Sequence, residues 1–188
     1  MTDYTTLANM KARLGITSTN AADDTRLSTL ITAASSFIDG ALSFDLIASS
    51  GTKTFNVPDP LPLGRNLYFG PFYATSITSV SDAGGSVIPA TEYYTLPANM
   101  TPCTGIALKR SSVYTWLGAG SWLDNTIAIV ANWGWAASCP ADIREACEML
   151  VQVVYQHAKG IVMADAAKVT DENGYSPQKI LANYKRVL

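Results

Sequence analysis

The sequence predicts an α+β fold in which a small helical bundle carries a β-rich insertion. Two long amphipathic patterns, one in each terminal part of the chain, recur with helical spacing. Between them, short alternating or aromatic segments are separated by Gly, Pro and Asp, which is typical of strands and turns. At 188 residues one domain suffices, and we divide it into a helical part (1–48), the insertion (49–137), a long helix (138–167) and a C-terminal tail with a short helix (168–188).

The first part of the chain contains two predicted helices. Leu7, Met10 and Leu14 recur at helical spacing, and Gly15 can end this short helix in the left-handed conformation. Asn20 is a candidate N-cap for a longer helix, because two aspartates follow it where the helix dipole favours negative charge. The predicted buried stripe of the longer helix consists of Leu27, Leu30, Ile31, Ala34, Phe37, Ile38 and Ala41.

The insertion contains six candidate strands and one recognisable turn. Residues 82–85 (Asp-Ala-Gly-Gly) are typical of a hairpin tip, because consecutive glycines allow the positive φ of tight turns. Pro58, Pro60 and Pro62 predict an extended loop or arm, since proline cannot donate to a strand ladder. The candidate strands are residues 52–57, 66–69, 76–80, 92–95, 106–109 and 126–131.

The C-terminal part predicts one long helix and one short helix. Pro140 suits the first position of the long helix, and two acidic residues follow in its first turn. A polar, Gly-containing break over residues 168–175 ends this region, after which Ser176-Pro177 can start the short helix. The predicted buried stripe of the long helix consists of Ile143, Cys147, Leu150, Val151, Val154, Ala158 and Ile161.

Composition favours assembly over an isolated monomer. Hydrophobic residues make up 48% of the chain and charged residues only 15%, so we expect a partner to cover some apolar surface. The formal net charge of -2 gives no global attraction to nucleic acid. No stretch approaches the ~20 apolar residues of a membrane helix, and the N-terminus lacks the pattern of a secretory signal. We therefore expect a soluble protein with a cytoplasmic start and no membrane partner.

Residues that could carry chemistry are few. His157 is the only histidine, whereas a catalytic triad or a two-histidine metal site needs more, and on a regular helix it lies about 80° from Cys147. Cys103, Cys139 and Cys147 form an odd set without Cys-x-x-Cys spacing, which favours reduced, packed thiols. The sequence therefore predicts no catalytic residue, no metal and no cofactor.

The four tryptophans fall into two groups. Trp133 and Trp135 lie on a strand pattern and are predicted to be core residues. Trp116 and Trp122 lie in a Ser/Gly-rich loop, where anchoring at a subunit interface is the first interpretation. Plain core packing and ligand stacking are the alternatives for this second pair.

Four stretches of the chain, in order, carry a resemblance to a known family. They are residues 7–16 followed by 23–24 and 27–38; residues 76–80 with 93–94; residues 127–135 followed by 140–146; and residues 180–186. In this order they resemble the phage head-tail connector family, adaptors that form a ring beneath the portal of long-tailed phages. Residues 58–65 are richer in Pro and Gly than this family suggests, and residues 111–124 add two tryptophans to a loop.

The resemblance implies a structural subunit without enzymatic activity. Such a subunit would form a homo-oligomeric ring of twelve in the virion neck, between the portal protein and the stopper or tail proteins, after assembly in the host cytoplasm. Genome DNA would pass through the lumen without sequence-specific binding. The alternatives are another neck protein, such as a mostly β stopper or head-closure protein, and a small hydrolase that uses the Trp-rich loop as a cleft.

The basic and apolar C-terminal segment has two interpretations. No acidic residue follows Glu172, so the segment is positively charged, and a solvated helix face would explain that. The resemblance implies instead that it docks onto the portal, because family members use terminal segments for this. The candidate portal-docking residues are Lys179, Leu181, Tyr184, Lys185 and Arg186.

Overall fold

The computed structural model describes residues 3–17, 20–56, 64–117, 126–157, 162–171 and 174–184. The chain forms a helical unit, Met1–Ser43 with Cys139–Leu188, and a β-rich unit, Phe44–Ser138. The predicted α+β class is confirmed, with long helices in one part and a β-rich region in the other. That the two units act as one adaptor domain stays a prediction.

In the described residues the helical unit has five helices, and capping explains where several of them begin. The side-chain oxygens of Thr6, Asn20 and Ser176 each accept a hydrogen bond from a backbone N–H in the turn that follows. Gly15 ends the first helix with a φ of +68°, as the sequence predicts. The helices are α1 (Leu7–Leu14), α2 (Ala21–Leu42), α3 (Ala141–Gln156), α4 (Met163–Ala166) and α5 (Pro177–Ala182).

The core of the helical unit is built by α1, α2 and α3, and α5 packs on α3. Most of the predicted stripe of α2 is buried, while Leu30, Phe37 and Ala41 at its margins are half-buried. The stripe of α3 is also found, and its deepest side chains face those of α2. The fully buried large side chains of this core are Met10, Leu27, Ile38, Ile143 and Leu150.

The long C-terminal helix differs from its predicted bounds. It begins at Ala141, so Pro140 is the N-cap residue rather than the first helical residue. It ends at Gln156 instead of continuing to residue 167, because His157 leaves the helical conformation with φ -91° and ψ 64°. Val154 is half-buried, and two further residues predicted for the stripe, 158 and 161, lie outside the described residues.

The β-rich unit has seven strands in the part of the chain that is described. They are β1 (Ser49–Asn56), β2 (Asn66–Tyr68), β3 (Ala74–Ser81), β4 (Val87–Ile88), β5 (Tyr93–Leu96), β6 (Gly105–Leu108) and β7 (Thr126–Trp133). One antiparallel sheet has the order β1-β7-β3-β4, and a second has the order β2-β6-β5. All six predicted strands are present, and β4 is an additional strand that the sequence analysis missed.

The predicted hairpin tip joins β3 to β4. The backbone N–H of Asp82 donates to the carbonyl of Ser86 at 2.9 Å, and the Asp82 carboxylate accepts from the N–H groups of Gly84 and Ser86. Gly85 has a φ of +82°, which supplies the positive φ expected there. The proline-containing segment predicted as a loop or arm lies at residues 57–63, outside the described residues.

An aromatic cluster and a close backbone approach fix the β-rich core. Trp133 on β7 is buried and donates from Nε1 to the carbonyl of Gly51 at 2.9 Å, and the ring of Phe69 meets it edge-on at 5.1 Å. A Cβ atom at Gly134 would lie 2.5 Å from the Cα of Ala48, so only glycine fits there. The core position predicted for Trp133 is therefore confirmed, and Trp135 is half-buried.

Candidate interaction surfaces

Polar contacts in the helical unit join α1 to α3. The guanidinium of Arg13 donates to both carboxylate oxygens of Glu145 at 2.7 and 2.8 Å, to Glu148 at 3.3 Å and to Gln152 at 2.8 Å. Thr5 donates to the other oxygen of Glu148 at 2.7 Å. The hydrogen bonds to Glu145 raise the pKa of Arg13. These acids are thus engaged in holding the helices together.

The thiols and the single histidine are not arranged as a reactive site. Cys147 is buried 3.8 Å from the hydroxyl of Ser35, and burial raises its pKa to about 12. Burial also raises the pKa of Cys103 and Cys139, so all three thiols are protonated at neutral pH. His157 is exposed, and its Nδ1 lies 2.9 Å from the carbonyl of the residue four positions earlier. Among the described residues, no group of three His, Cys, Asp or Glu side chains could hold a metal ion.

Of the two tryptophans predicted as interface anchors, the structure describes only Trp116. Trp116 is only 4% exposed and belongs to the core of the β-rich unit, where its carbonyl accepts from the N–H of Ala83 at 2.9 Å. Among the residues that the structure describes, none is a hydrogen-bond partner for its indole N–H. Trp122 lies outside the described residues. In the single chain Trp116 therefore contributes core packing, and an interface role for the pair stays a prediction.

The structure separates the candidate portal-docking residues. Lys179 is exposed, and its Nζ donates to the carbonyl of Gly174 at 2.6 Å. Leu181 is only 3% exposed and packs into the helical unit. The hydroxyl of Tyr184 donates to the carboxylate of Asp142 at 2.7 and 2.8 Å, and burial followed by this hydrogen bond raises the pKa of Tyr184. Lys185 and Arg186 lie outside the described residues.

A cavity of about 480 Å³ lies in the helical unit between α3 and the segment that carries α5. Its acids already have partners: Asp142 accepts from Tyr184, Glu145 from Arg13, and Asp171 from a backbone N–H. The lining residues that the structure describes include no Ser, Thr, Cys or His side chain. The lining residues are Asp142, Glu145, Met149, Asp171, Gly174, Tyr175, Lys179, Ile180 and Asn183.

Two exposed tyrosines in the β-rich unit form a surface that sequence analysis did not single out. Tyr68 on β2 is 63% exposed and Tyr94 on β5 is 45% exposed. Alternation could have indicated them, because each follows a residue, Leu67 or Tyr93, that faces the core.

None of the helices among the described residues combines the length and the apolar character that a membrane span requires.

Comparisons with known proteins give one family and several structures. The model of the phage gp6-like head-tail connector protein family matches residues 4–67. A search of curated proteins finds no match.

Chains from three solved structures share the fold. One, from the neck of an empty GTA (gene transfer agent) particle computed with C6 symmetry, is 17% identical with a TM-score of 0.62, covering 98% of this chain and 92% of that chain. A second, from the neck of the native GTA particle computed with C12 symmetry, is 17% identical with a TM-score of 0.59, covering 97% and 90%. A third, from the virion of the native particle, is 18% identical with a TM-score of 0.59, covering 98% and 92%.

These similarities agree with the recognition made from the sequence. The family match covers α1, α2, β1 and the start of β2. Its two helices contain the first of the four stretches that carry the resemblance. The structural matches extend over nearly the whole chain and concern the fold. The predicted resemblance to the phage head-tail connector family is therefore confirmed.

Proposed function

We propose that this chain is a structural head-tail connector subunit of a phage neck, located between the portal and the stopper or tail proteins. The observation that carries the proposal is the fold shared, over 97% of this chain, with a chain from a particle neck computed with C12 symmetry. The family match over residues 4–67 supports the same function independently. The proposed assembly is a homo-oligomeric ring, and twelve is the number of subunits that this symmetry suggests.

A ring requires that one face of each subunit fit a different face of the next. The chain offers apolar and aromatic surface for such contacts, and these side chains are exposed in the single chain. The formal net charge of -2 suits a channel for DNA, because tight phosphate binding would slow its passage. The exposed large hydrophobic residues are Tyr68, Val87, Tyr94, Met100, Val113, Val162, Val169 and Tyr175.

The proposed subunit catalyses no reaction. The acids that adjoin the cavity are engaged in hydrogen bonds or ion pairs, and the thiols have raised pKa values. The alternative of a mostly β stopper predicts that long N- and C-terminal helices are missing, whereas α2 has 22 residues and α3 has 16. Neither the hydrolase nor the stopper interpretation is supported by a specific observation.

Imaging of the purified protein with and without its portal protein tests the proposal. We expect weak self-association of the protein alone and ordered rings on the portal. Sedimentation velocity and negative-stain microscopy measure both. A stable monomer that does not bind the portal contradicts the proposal.

The same experiment tests docking by the C-terminal segment when part of that segment is deleted. Deletion of the whole segment is unsuitable. Removal of residues 176–188 would remove the buried side chains of Pro177 and Leu181 and damage the helical unit. We therefore propose deletion of residues 185–188 alone, which removes two of the positive charges and keeps α5. We expect weaker portal binding by a folded subunit, and unchanged binding contradicts this docking role.

A further inference from the structure

A tight turn after β6 carries two basic side chains on the surface of the β-rich unit. The backbone N–H of Ser112 donates to the carbonyl of Lys109 at 3.0 Å, which places Arg110 at the first central position of the turn. Lys109 and Arg110 are both exposed, and Val113, which follows the turn, is 88% exposed. We call residues 109–113 the basic turn.

Hydrogen bonds fix the basic turn at its base. The carbonyl of Lys109 accepts a second hydrogen bond, from the guanidinium of Arg65 next to β2. The backbone N–H of Lys109 donates to the carbonyl of Glu92 at 2.8 Å. The backbone N–H of Tyr114 donates to the hydroxyl of Ser112 at 3.1 Å. A turn that is ordered in this way loses little conformational entropy when it binds a partner.

The basic side chains of this region have no ionic partner in the described part of their own subunit. The ion pairs found there involve neither Arg65, Lys109 nor Arg110. Glu92 is the adjoining acidic residue, so three basic side chains lie beside one acidic side chain. A surface with an excess of carboxylates would therefore complement this region.

The cavity of about 480 Å³ in the helical unit has the opposite charge. Asp142 and Asp171 line it. Glu145 lines it too, but its charge is balanced by the guanidinium of Arg13. Lys179 is the one basic residue in the described part of the lining, and its Nζ donates to a backbone carbonyl. The described lining therefore carries an excess of negative charge, and we call this site the acidic cavity.

The acidic cavity can accept an arginine side chain. The Asp142 carboxylate accepts from the Tyr184 hydroxyl. A carboxylate has about four acceptor positions, so others remain for the two parallel hydrogen bonds of a guanidinium. Met149 offers an apolar surface for the stem of the arginine. Tyr175 is 61% exposed beside the cavity, where its ring can cover a guanidinium or an apolar side chain.

The basic turn and the acidic cavity are thus complementary in charge, and each has an exposed apolar or aromatic side chain, Val113 or Tyr175, next to its charges. We infer that the acidic cavity of one subunit receives the basic turn of a neighbouring copy of this chain, with Arg110 paired to Asp142. This inference rests on the proposed ring. The contact is heterologous, as ring closure requires, because the turn and the cavity are different surfaces of each subunit.

Charge reversal on the two surfaces tests the contact. Arg110→Glu and Asp142→Arg are each expected to raise the protein concentration needed for rings on the portal by at least about tenfold. The double variant Arg110→Glu/Asp142→Arg, in which the charges are exchanged, is expected to return to within about threefold of the wild type. Negative-stain microscopy measures ring formation, and circular dichroism verifies that the variants are folded.

Two controls separate the proposed ion pair from other effects of these substitutions. Arg144→Glu makes the same reversal at an exposed arginine of α3 that does not line the cavity. Tyr184→Phe removes the hydrogen bond to Asp142 but keeps the carboxylate. Both controls are expected to assemble like the wild type. A defect of Tyr184→Phe as large as that of Asp142→Arg would assign the effect to contacts inside the helical unit and would overturn the inference.

Cross-linking tests whether the contact joins different copies. Arg110→Cys and Asp142→Cys are combined in one chain with Cys139→Ser, since the other two natural thiols are buried and have raised pKa values. A short bismaleimide is expected to convert assembled rings into a ladder of covalent oligomers. An equimolar mixture of the two single-site chains is expected to stop at dimers, because each chain then carries one reactive thiol. Cross-links formed only within single chains contradict the inference.

The remaining outcomes separate this inference from the proposed function. Wild-type rings that form equally well with both reversals contradict the turn contact and leave the ring itself standing. A defect of Asp142→Arg without a defect of Arg110→Glu means that the portal or the chain's own residues 185–188 occupy the cavity, which also overturns the inference. A wild type that does not assemble contradicts the proposed function and the inference with it.

Discussion

The helical unit and the β-rich unit are stabilised by different kinds of contact. Within the described residues, every ion pair lies in the helical unit, including the three that bind Lys11 and Arg13 to acidic partners. The β-rich unit depends instead on aromatic packing around Trp133 and on close backbone approach at Gly105 and Gly134. Changes in packing are therefore expected to damage the β-rich unit most, whereas changes in charge are expected to act on the helical unit.

The largest effect is expected from Gly134→Ala. The added Cβ would lie 2.5 Å from the backbone of Ala48, so that backbone would have to shift. The φ of +153° is also strained for any residue with a side chain. We expect a loss of about 3 kcal/mol in the free energy of unfolding, measured by denaturant titration with tryptophan fluorescence. Gly51→Ala is the matched control, because its Cβ would make only an ordinary contact of 3.8 Å with Trp133. Equal effects of the two substitutions would show that close approach does not limit this unit.

A smaller loss is expected from Arg13→Met. The substitution removes the hydrogen bonds to Glu145, Glu148 and Gln152 but keeps much of the apolar stem. Because the pair is partly exposed, we expect a loss of about 1–2 kcal/mol, which shrinks in high salt. Arg144→Met, at an exposed position of α3, is the control and is expected to change stability little. An effect of Arg13→Met that does not depend on salt would argue against the ion pairs as its cause.

The smallest effect is a change in alkaline sensitivity produced by Tyr4→Phe. Burial and then the hydrogen bond to Asp39 raise the pKa of Tyr4 above its value of about 10 in the unfolded chain. The unfolded chain therefore releases this proton first, so the stabilisation is complete below pH about 10 and is lost as the pH rises further. Tyr4→Phe is expected to flatten that decline, which denaturant titrations between pH 8 and about 11 measure.

Other groups and one control complete the pH experiment. Tyr93, Tyr184 and the three thiols also have pKa values raised by burial, so part of the alkaline decline is expected to persist in the Tyr4 variant. Tyr175→Phe changes an exposed tyrosine and is expected to leave the decline as in the wild type. A Tyr4 variant that declines as steeply as the wild type contradicts the assignment.

Local signals in the sequence predicted most elements of both units. The cap at Asn20, the left-handed end at Gly15 and periodic apolar side chains mark the helices, and alternation or turn residues mark six of the seven described strands. β4 was missed because two residues are too few to show alternation. The early end of α3 at Gln156 was missed because the apolar rhythm continues past it.

Long-range relations were not predictable from the same signals. No local pattern indicates that β7 pairs with both β1 and β3, because pairing depends on how the whole insertion closes. The burial of Leu181 was equally hidden, since a short tail helix has an apolar side whether it packs on its own chain or on a partner. The residue that lies opposite Tyr68 on the neighbouring strand, Gly105, depends on the sheet register, which the sequence leaves open.

The pairing of the first and last strands has a consequence for how this protein can change over evolution. β1 lies beside β7, and backbone hydrogen bonds join Asp45, Leu46 and Ala48 to the segment just after β7 at 2.8 to 3.0 Å. The chain thus enters and leaves the β-rich unit at neighbouring points. A segment with adjacent ends can be exchanged or lengthened between related genes without altering the path of the host chain. Diversification of this protein is therefore expected to concentrate between Ser43 and Cys139, as a replaceable cassette.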